Sequence, residues 1–109
     1  VIYYSTYGHV ARMASSICAG IQRAGCDYRV FQVAETLPEE VLVKMHAPPK
    51  DRSVPLIRAE QLVEADGFLF GMPTRSGSVP TQMKNLFDAC GNHWHSDALI
   101  GKPVTIDVL

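Results

Sequence analysis

The stretch VIYYSTYGHVARMASSICAGIQRAG, residues 1–25, decides the fold. Residues 1–4 are β-branched or aromatic without polar alternation, which is typical of a strand buried on both faces. Residues 5–8 are rich in hydroxyl groups and end in glycine, so they predict a turn. From residue 9 to about residue 24, apolar side chains recur at spacings of three and four, and Gly25 stands where a C-terminal cap belongs. The stretch therefore predicts a strand, a loop and an amphipathic helix in succession.

The remainder of the chain continues this alternation of strands and helices. Further strands are predicted at residues 28–33, 67–71 and 104–109, and helices at residues 38–45, 59–64 and 81–90. Because a helix connects the first two strands, those strands should pair in parallel. The pattern predicts an α/β fold, with a doubly wound parallel sheet and helices on both faces.

Residues 47–55 interrupt the alternation with three prolines and a mixture of charges. Such a composition favours an exposed, irregular insertion, and we expect it to be the most mobile segment.

The composition narrows the class of protein. A length of 109 residues with 47% hydrophobic residues suits a single domain over residues 1–109. A net charge of −1 gives no electrostatic reason to expect nucleic acid or an anionic membrane surface as a partner. The apolar runs are far shorter than the roughly 18 residues that span a bilayer. Three cysteines without a CxxC pair indicate neither a disulfide framework nor a zinc site, and we expect a cytoplasmic protein.

A ligand site is predicted where the strand order reverses, between the first and third strands. The loops that follow these strands, at residues 5–10 and 73–77, are rich in hydroxyl groups and glycine. Backbone N–H groups, hydroxyls and a helix N-terminus together suit a phosphate, although the same residues could form an ordinary helix cap. Neither GxGxxG nor GxxxxGK[ST] is present, so a mononucleotide is favoured over a dinucleotide.

Residues 3–10, YYSTYGHV, resemble the FMN-phosphate loop of the WrbA-type NAD(P)H:quinone oxidoreductases, a family of flavodoxin-like FMN proteins. Further blocks resemble that family in order, at residues 35–40, 44–51, 65–71, 73–75 and 98–103. The resemblance implies a flavodoxin-like fold, FMN as cofactor and NADH or NADPH as co-substrate. It also implies two-electron reduction of a quinone by hydride transfer through the flavin, in a homotetramer.

The resemblance also assigns roles to individual residues. It implies that the FMN phosphate is held by Ser5, Thr6, Tyr7, Gly8, His9 and Val10, and that the isoalloxazine ring is lined by Thr74, Arg75 and Ser76. Tyr7 would also lie near the nicotinamide, and Trp94 near the quinone. No side chain is predicted to act as a catalytic acid or base. Arg75 could favour the anionic reduced flavin, or could instead form a surface salt bridge.

Two departures from the family stand out. Ser76 occupies a position where the family usually carries phenylalanine, which would weaken flavin stacking or widen the substrate pocket. The family's glycine-rich flavin loop after the fourth strand, and a later histidine, have no counterpart before Leu109. We therefore expect residues 1–109 to be the N-terminal portion of a longer flavodoxin-like domain.

Alternatives remain for several features. His93 and His95 flank Trp94 in an HxH pair, but no third ligand has suitable spacing, so we predict no metal. We expect the three residues to form a loop near the quinone pocket, and the alternative is that the histidines are simple surface residues. Trp94 could instead pack against a neighbouring subunit or its own sheet. The competing functions are a flavodoxin-like electron carrier and a non-catalytic FMN-binding or assembly module. The near-neutral charge and the insertion favour the enzyme.

Overall fold

The computed structural model describes all residues 1–109 and contains one parallel four-stranded sheet. The strands are β1 (Ile2–Tyr3), β2 (Phe31–Gln32), β3 (Phe68–Met72) and β4 (Val104–Val108). The helices are α1 (His9–Arg23), α2 (Glu39–Lys44), α3 (Thr81–Asp88) and α4 (Gly91–Ser96), together with a 3-10 helix (Ala59–Glu64). The predicted α/β class and the parallel sheet are confirmed. No helix is both long and apolar enough to cross a bilayer.

The strand order β2-β1-β3-β4 places β1 in the interior of the sheet. Ile2 lies opposite Phe31 of β2 and Phe70 of β3. The chain therefore moves outward from β1 in one direction to β2 and in the other to β3. The predicted reversal of strand order between the first and third strands is confirmed.

The two faces of the sheet bury different sets of side chains, because neighbouring strand residues point to opposite faces. One face forms the main core: Ile2, Tyr4, Phe31, Val33, Ile57, Leu62, Phe68, Phe70, Met72, Met83 and Leu86. On the other face, Tyr3 packs with Val10 and Ala14 of α1. Helices thus cover both faces, with α1 on one side and α3 and the 3-10 helix on the other.

Gly71 of β3 allows α1 to lie close to the sheet. A Cβ atom at this position would stand 3.0 Å from Cγ1 of Val10 and 3.4 Å from Cβ of Tyr3. The absence of that atom brings the start of α1 against the carboxyl ends of β1 and β3.

Three predicted elements differ from the structure. β2 is shorter than residues 28–33, since only Phe31 and Gln32 pair with β1, opposite Ile2 and Tyr3. Residues 59–64 form a 3-10 helix, whose start is held by the N–H of Arg58 donating to Oε1 of Gln61 at 2.9 Å.

The loop predicted around Trp94 is wrong, because residues 91–96 form α4. None of its six residues is buried, so the segment carries no apolar stripe that would indicate a helix. The helix ends at Asp97 in a left-handed conformation with φ 56°.

The insertion at residues 47–55 contains no helix or strand, as predicted. It is nevertheless fastened to the sheet, since Nε2 of Gln32 donates to the carbonyl oxygens of Asp51 at 2.6 Å and Val54 at 2.9 Å. These contacts hold the insertion against β2, and a further hydrogen bond from Nζ of Lys50 to the carbonyl oxygen of Ser5 connects it to the loop after β1.

Candidate functional site

The loops after β1 and β3 meet at the carboxyl edge of the sheet and form a cleft of about 200 Å³. Its lining residues are Ser5, Thr6, Tyr7, His9, Val10, Pro73, Thr74, Arg75 and Leu109. A larger groove of about 440 Å³ runs along α1, but it contains neither Arg75 nor a residue of the loop after β1. The cleft is the stronger candidate because strand ends, hydroxyl groups and a helix N-terminus converge there.

The loop after β1 leaves the start of α1 without a side-chain cap. Gly8 occupies the N-cap position with φ 95°, and its N–H donates to Oγ of Ser5 at 3.0 Å. Neither Ser5 nor Thr6 caps the helix, so the ordinary capping alternative does not describe this loop. The first N–H groups of α1 are therefore suited to an anion.

Replacing Gly8 with Ala should lower the free energy of unfolding by about 1–2 kcal/mol, since a left-handed backbone is unfavourable for a residue with a Cβ atom. Urea unfolding would measure the loss. The matched control is Gly20→Ala inside α1, where an added Cβ meets no atom within 4 Å and should stabilise the helix by about 0.5–1 kcal/mol. Equal effects of the two substitutions would contradict this account of the loop.

Arg75 begins a tight hairpin after β3. Its N–H donates to the carbonyl of Ser78 at 3.0 Å, and the N–H of Ser78 donates back at 2.9 Å. The two central residues have positive φ, 51° at Ser76 and 75° at Gly77, as in a type I′ turn. Ser76 therefore stands at the tip of the hairpin and is not among the residues that line the cleft.

Arg75 bridges the two loops, because a guanidinium N–H donates to Oγ1 of Thr6 at 2.6 Å. No Asp or Glu side chain is among the residues that line the cleft. The guanidinium therefore gives the cleft the positive charge that a phosphate or an electron-rich ring edge requires.

Glu35 lies beneath this site, and sequence reasoning did not assign it a role. Its carboxylate accepts hydrogen bonds from the hydroxyl of Tyr4 at 2.9 Å and from Nε2 of Gln82 at 2.8 Å. Nζ of Lys50 lies 3.3 Å from the same carboxylate and also donates to the carbonyl of Ser5. The insertion is thereby connected to the loop after β1.

Hydrogen bonds lower the pKa of Glu35. Burial by itself acts to raise the pKa, but donors from the Leu37 backbone, Tyr4, Gln82 and the Thr36 backbone outweigh it. The carboxylate is therefore stabilised in its charged form.

Because the pKa of Glu35 is lower in the folded state, its contribution to stability should be present above the ordinary glutamate pKa of about 4.3 and be lost as pH falls through the lower folded value. A Glu35→Gln variant should lose less stability than the unmodified protein between pH 5.5 and pH 3. Urea unfolding at several pH values measures this, with the exposed Glu60→Gln variant as control. If the unmodified protein and Glu35→Gln lost the same amount of stability between pH 5.5 and pH 3, the expectation would be contradicted.

Trp94 lies apart from the cleft. Its side chain is on α4 with 83% of its surface exposed, beside a separate groove lined by Cys90, His93, Trp94, Asp97, Leu99 and Ile100. Nε2 of His93 is 2.6 Å from the carbonyl oxygen of Ala59, so this histidine ties α4 to the 3-10 helix. Within one chain, the structure does not bring Trp94 to the two loops. Gly8 also lies outside the cleft lining, although it shapes the loop.

The sequence of the chain was compared with those of known protein families. Residues 5–107 match the family described as NADPH-dependent FMN reductase. The chain belongs to this family. The family match covers both loops of the cleft and the whole of α1.

The chain is also similar in sequence to individual curated proteins. The chain is 50% identical to quinone-oxidoreductase QR2 of Triphysaria versicolor over 107 residues, covering 97% of this chain and 52% of that protein. It is 45% identical to NAD(P)H quinone oxidoreductase YCP4 of Candida albicans over 108 residues, covering 99% of this chain and 38% of that protein. It is also 52% identical to minor allergen Alt a 7 of Alternaria alternata over 103 residues, covering 94% of this chain and 50% of that protein. The chain thus spans about half or less of the length of these curated relatives.

Proposed function

We propose that this protein is a WrbA-type, FMN-dependent NAD(P)H:quinone oxidoreductase that acts in the cytoplasm. The observation that carries the proposal is the contact between Arg75 and Thr6, which joins the two loops across the point where the strand order reverses. The names of the relatives support quinone reduction with NAD(P)H.

The residues of the cleft fit FMN. The uncapped start of α1 and the loop around Ser5 and Thr6 would hold the phosphate, because they combine N–H groups with the positive end of a helix. Thr74 and Arg75 would lie against the flavin ring, with Ser76 at the hairpin tip beside them. When bound, FMN supplies the acceptor and donor of a hydride.

The remaining side chains would orient the substrates. Tyr7, whose hydroxyl donates to the carbonyl of Met45 at 3.0 Å, would stand near the nicotinamide. Trp94 lines another groove of its own chain, so its contact with the quinone would come from a neighbouring subunit of a homotetramer.

The test is the visible absorption spectrum of the purified protein with FMN, followed by anaerobic NAD(P)H and then benzoquinone. A bound-flavin spectrum that bleaches with NAD(P)H and recovers with benzoquinone supports the proposal. Bound flavin that does not bleach would overturn it in favour of an electron carrier. Failure to take up FMN would overturn flavin binding and point to an assembly role.

A further inference from the structure

Arg75 is connected to Glu35 through two buried hydroxyl groups. The guanidinium donates to Oγ1 of Thr6 at 2.6 Å, Thr6 is 3.4 Å from the hydroxyl of Tyr4, and Tyr4 donates to Oε2 of Glu35 at 2.9 Å. Tyr4 is 2% exposed and Thr6 is 4% exposed. The series thus runs from the cleft, through the interior, to a carboxylate on the far side of β1.

The direction of every hydrogen bond in this series is determined by its two ends. A guanidinium can only donate and a carboxylate can only accept. Arg75 must therefore donate to Thr6, and the single proton of Tyr4 goes to Glu35. In the contact between the two hydroxyls, Thr6 is then the donor.

The carboxylate end of the series is fixed in place. The N–H groups of Thr36 and Leu37 donate to Oε1 of Glu35 at 3.0 and 3.2 Å, and Gln82 donates to the same oxygen at 2.8 Å. These donors come from the chain after β2 and from α3. Because they hold the carboxylate from two elements, Tyr4 has a defined acceptor.

We propose that Glu35 is a positioning residue for the ligand cleft, which acts through Tyr4 and Thr6 to orient Arg75 across the gap between the two loops. This proposal rests on the proposed function, since FMN is the ligand that Arg75 would meet. Thr6 then serves mainly to receive the guanidinium, because its proton is directed toward Tyr4. The phosphate would be left to the N–H groups of the loop and α1.

The first test replaces Tyr4 with Phe, which keeps the buried ring and removes the hydroxyl that joins Thr6 to Glu35. We expect FMN to bind about fivefold more weakly, as measured by flavin fluorescence. Tyr3→Phe is the matched control, because the neighbouring tyrosine faces α1 on the opposite side of the sheet and takes no part in the series. Unchanged affinity in Tyr4→Phe, or equal losses in both variants, would overturn the proposal.

A double-mutant cycle separates positioning from a general loss of structure. If Tyr4 acts through Arg75, Tyr4→Phe should weaken FMN binding markedly less in an Arg75→Ala background than in the unmodified protein. An undiminished effect in that background would overturn the proposal.

The same double-mutant cycle, measured by urea unfolding without ligand, distinguishes a failure of the positioning role from a failure of the proposed function. Sub-additive losses of stability support the connection between Tyr4 and Arg75 even if the protein fails to bind FMN, in which case only the proposed function fails. Additive losses without ligand would overturn the positioning role whether or not FMN binds.

Discussion

Replacing Phe70 with Ala is expected to lower the free energy of unfolding by about 3–5 kcal/mol. Phe70 lies in the middle of β3 and is 6% exposed. Its ring centroid is 5.8 Å from that of Phe68 in a stacked pair and 5.3 Å from that of Phe87 in an edge-to-face pair. Truncation would remove both aromatic contacts and leave a cavity between the sheet and α3.

Such a loss is a large fraction of the roughly 5–15 kcal/mol that stabilises an ordinary domain. Urea unfolding followed by far-UV circular dichroism measures it. Phe70→Leu, which keeps most of the volume, should cost less, and Val43→Ala, whose side chain is largely exposed, should change stability by no more than about 0.5 kcal/mol. A loss below about 1 kcal/mol for Phe70→Ala would contradict the core assignment.

The order of the elements could be predicted because it depends on local periodicity. The unbroken apolar character of residues 1–4 and 67–71 indicated buried strands, and both lie in the interior of the parallel sheet. α4 could not be predicted in this way, since a six-residue helix with no buried side chain has no apolar face to detect.

The site was only partly predictable for a different reason. Residues 5–10 and 73–77 could be placed together because topology alone brings the loops after the first and third strands to one edge. Glu35, Lys50 and Gln82 meet beneath that edge although they lie far apart in the chain, and no local spacing encodes such a contact.

The sequence around Ser76 contains a local signal for the hairpin after β3. The Ser76–Gly77 pair is a turn-forming dipeptide, and the structure places it at the tip of a two-residue hairpin. Ser76 is accordingly not among the residues that line the cleft.

Replacing Arg75 with Ala is expected to weaken FMN binding roughly 10- to 50-fold, because hydrogen bonds made by charged groups contribute more than neutral ones. The guanidinium is the cation at the cleft and bonds to Thr6 on the opposite loop. Its removal takes away both the positive charge and the connection between the loops. Fluorescence titration of FMN at low salt gives the affinity, and the difference between the two proteins should shrink at high salt.

Two controls separate these contributions. Arg75→Lys keeps the charge but not the planar set of donors, so its affinity should fall between those of the unmodified protein and Arg75→Ala. Arg29→Ala changes the net charge by the same amount at an exposed ion pair with Glu64, away from the cleft, and should leave FMN binding unchanged. If Arg29→Ala weakened binding as much as Arg75→Ala, overall charge would account for the effect. The geometry of the cleft instead requires that the loss be specific to Arg75, because that side chain alone joins the hairpin after β3 to the hydroxyl of Thr6.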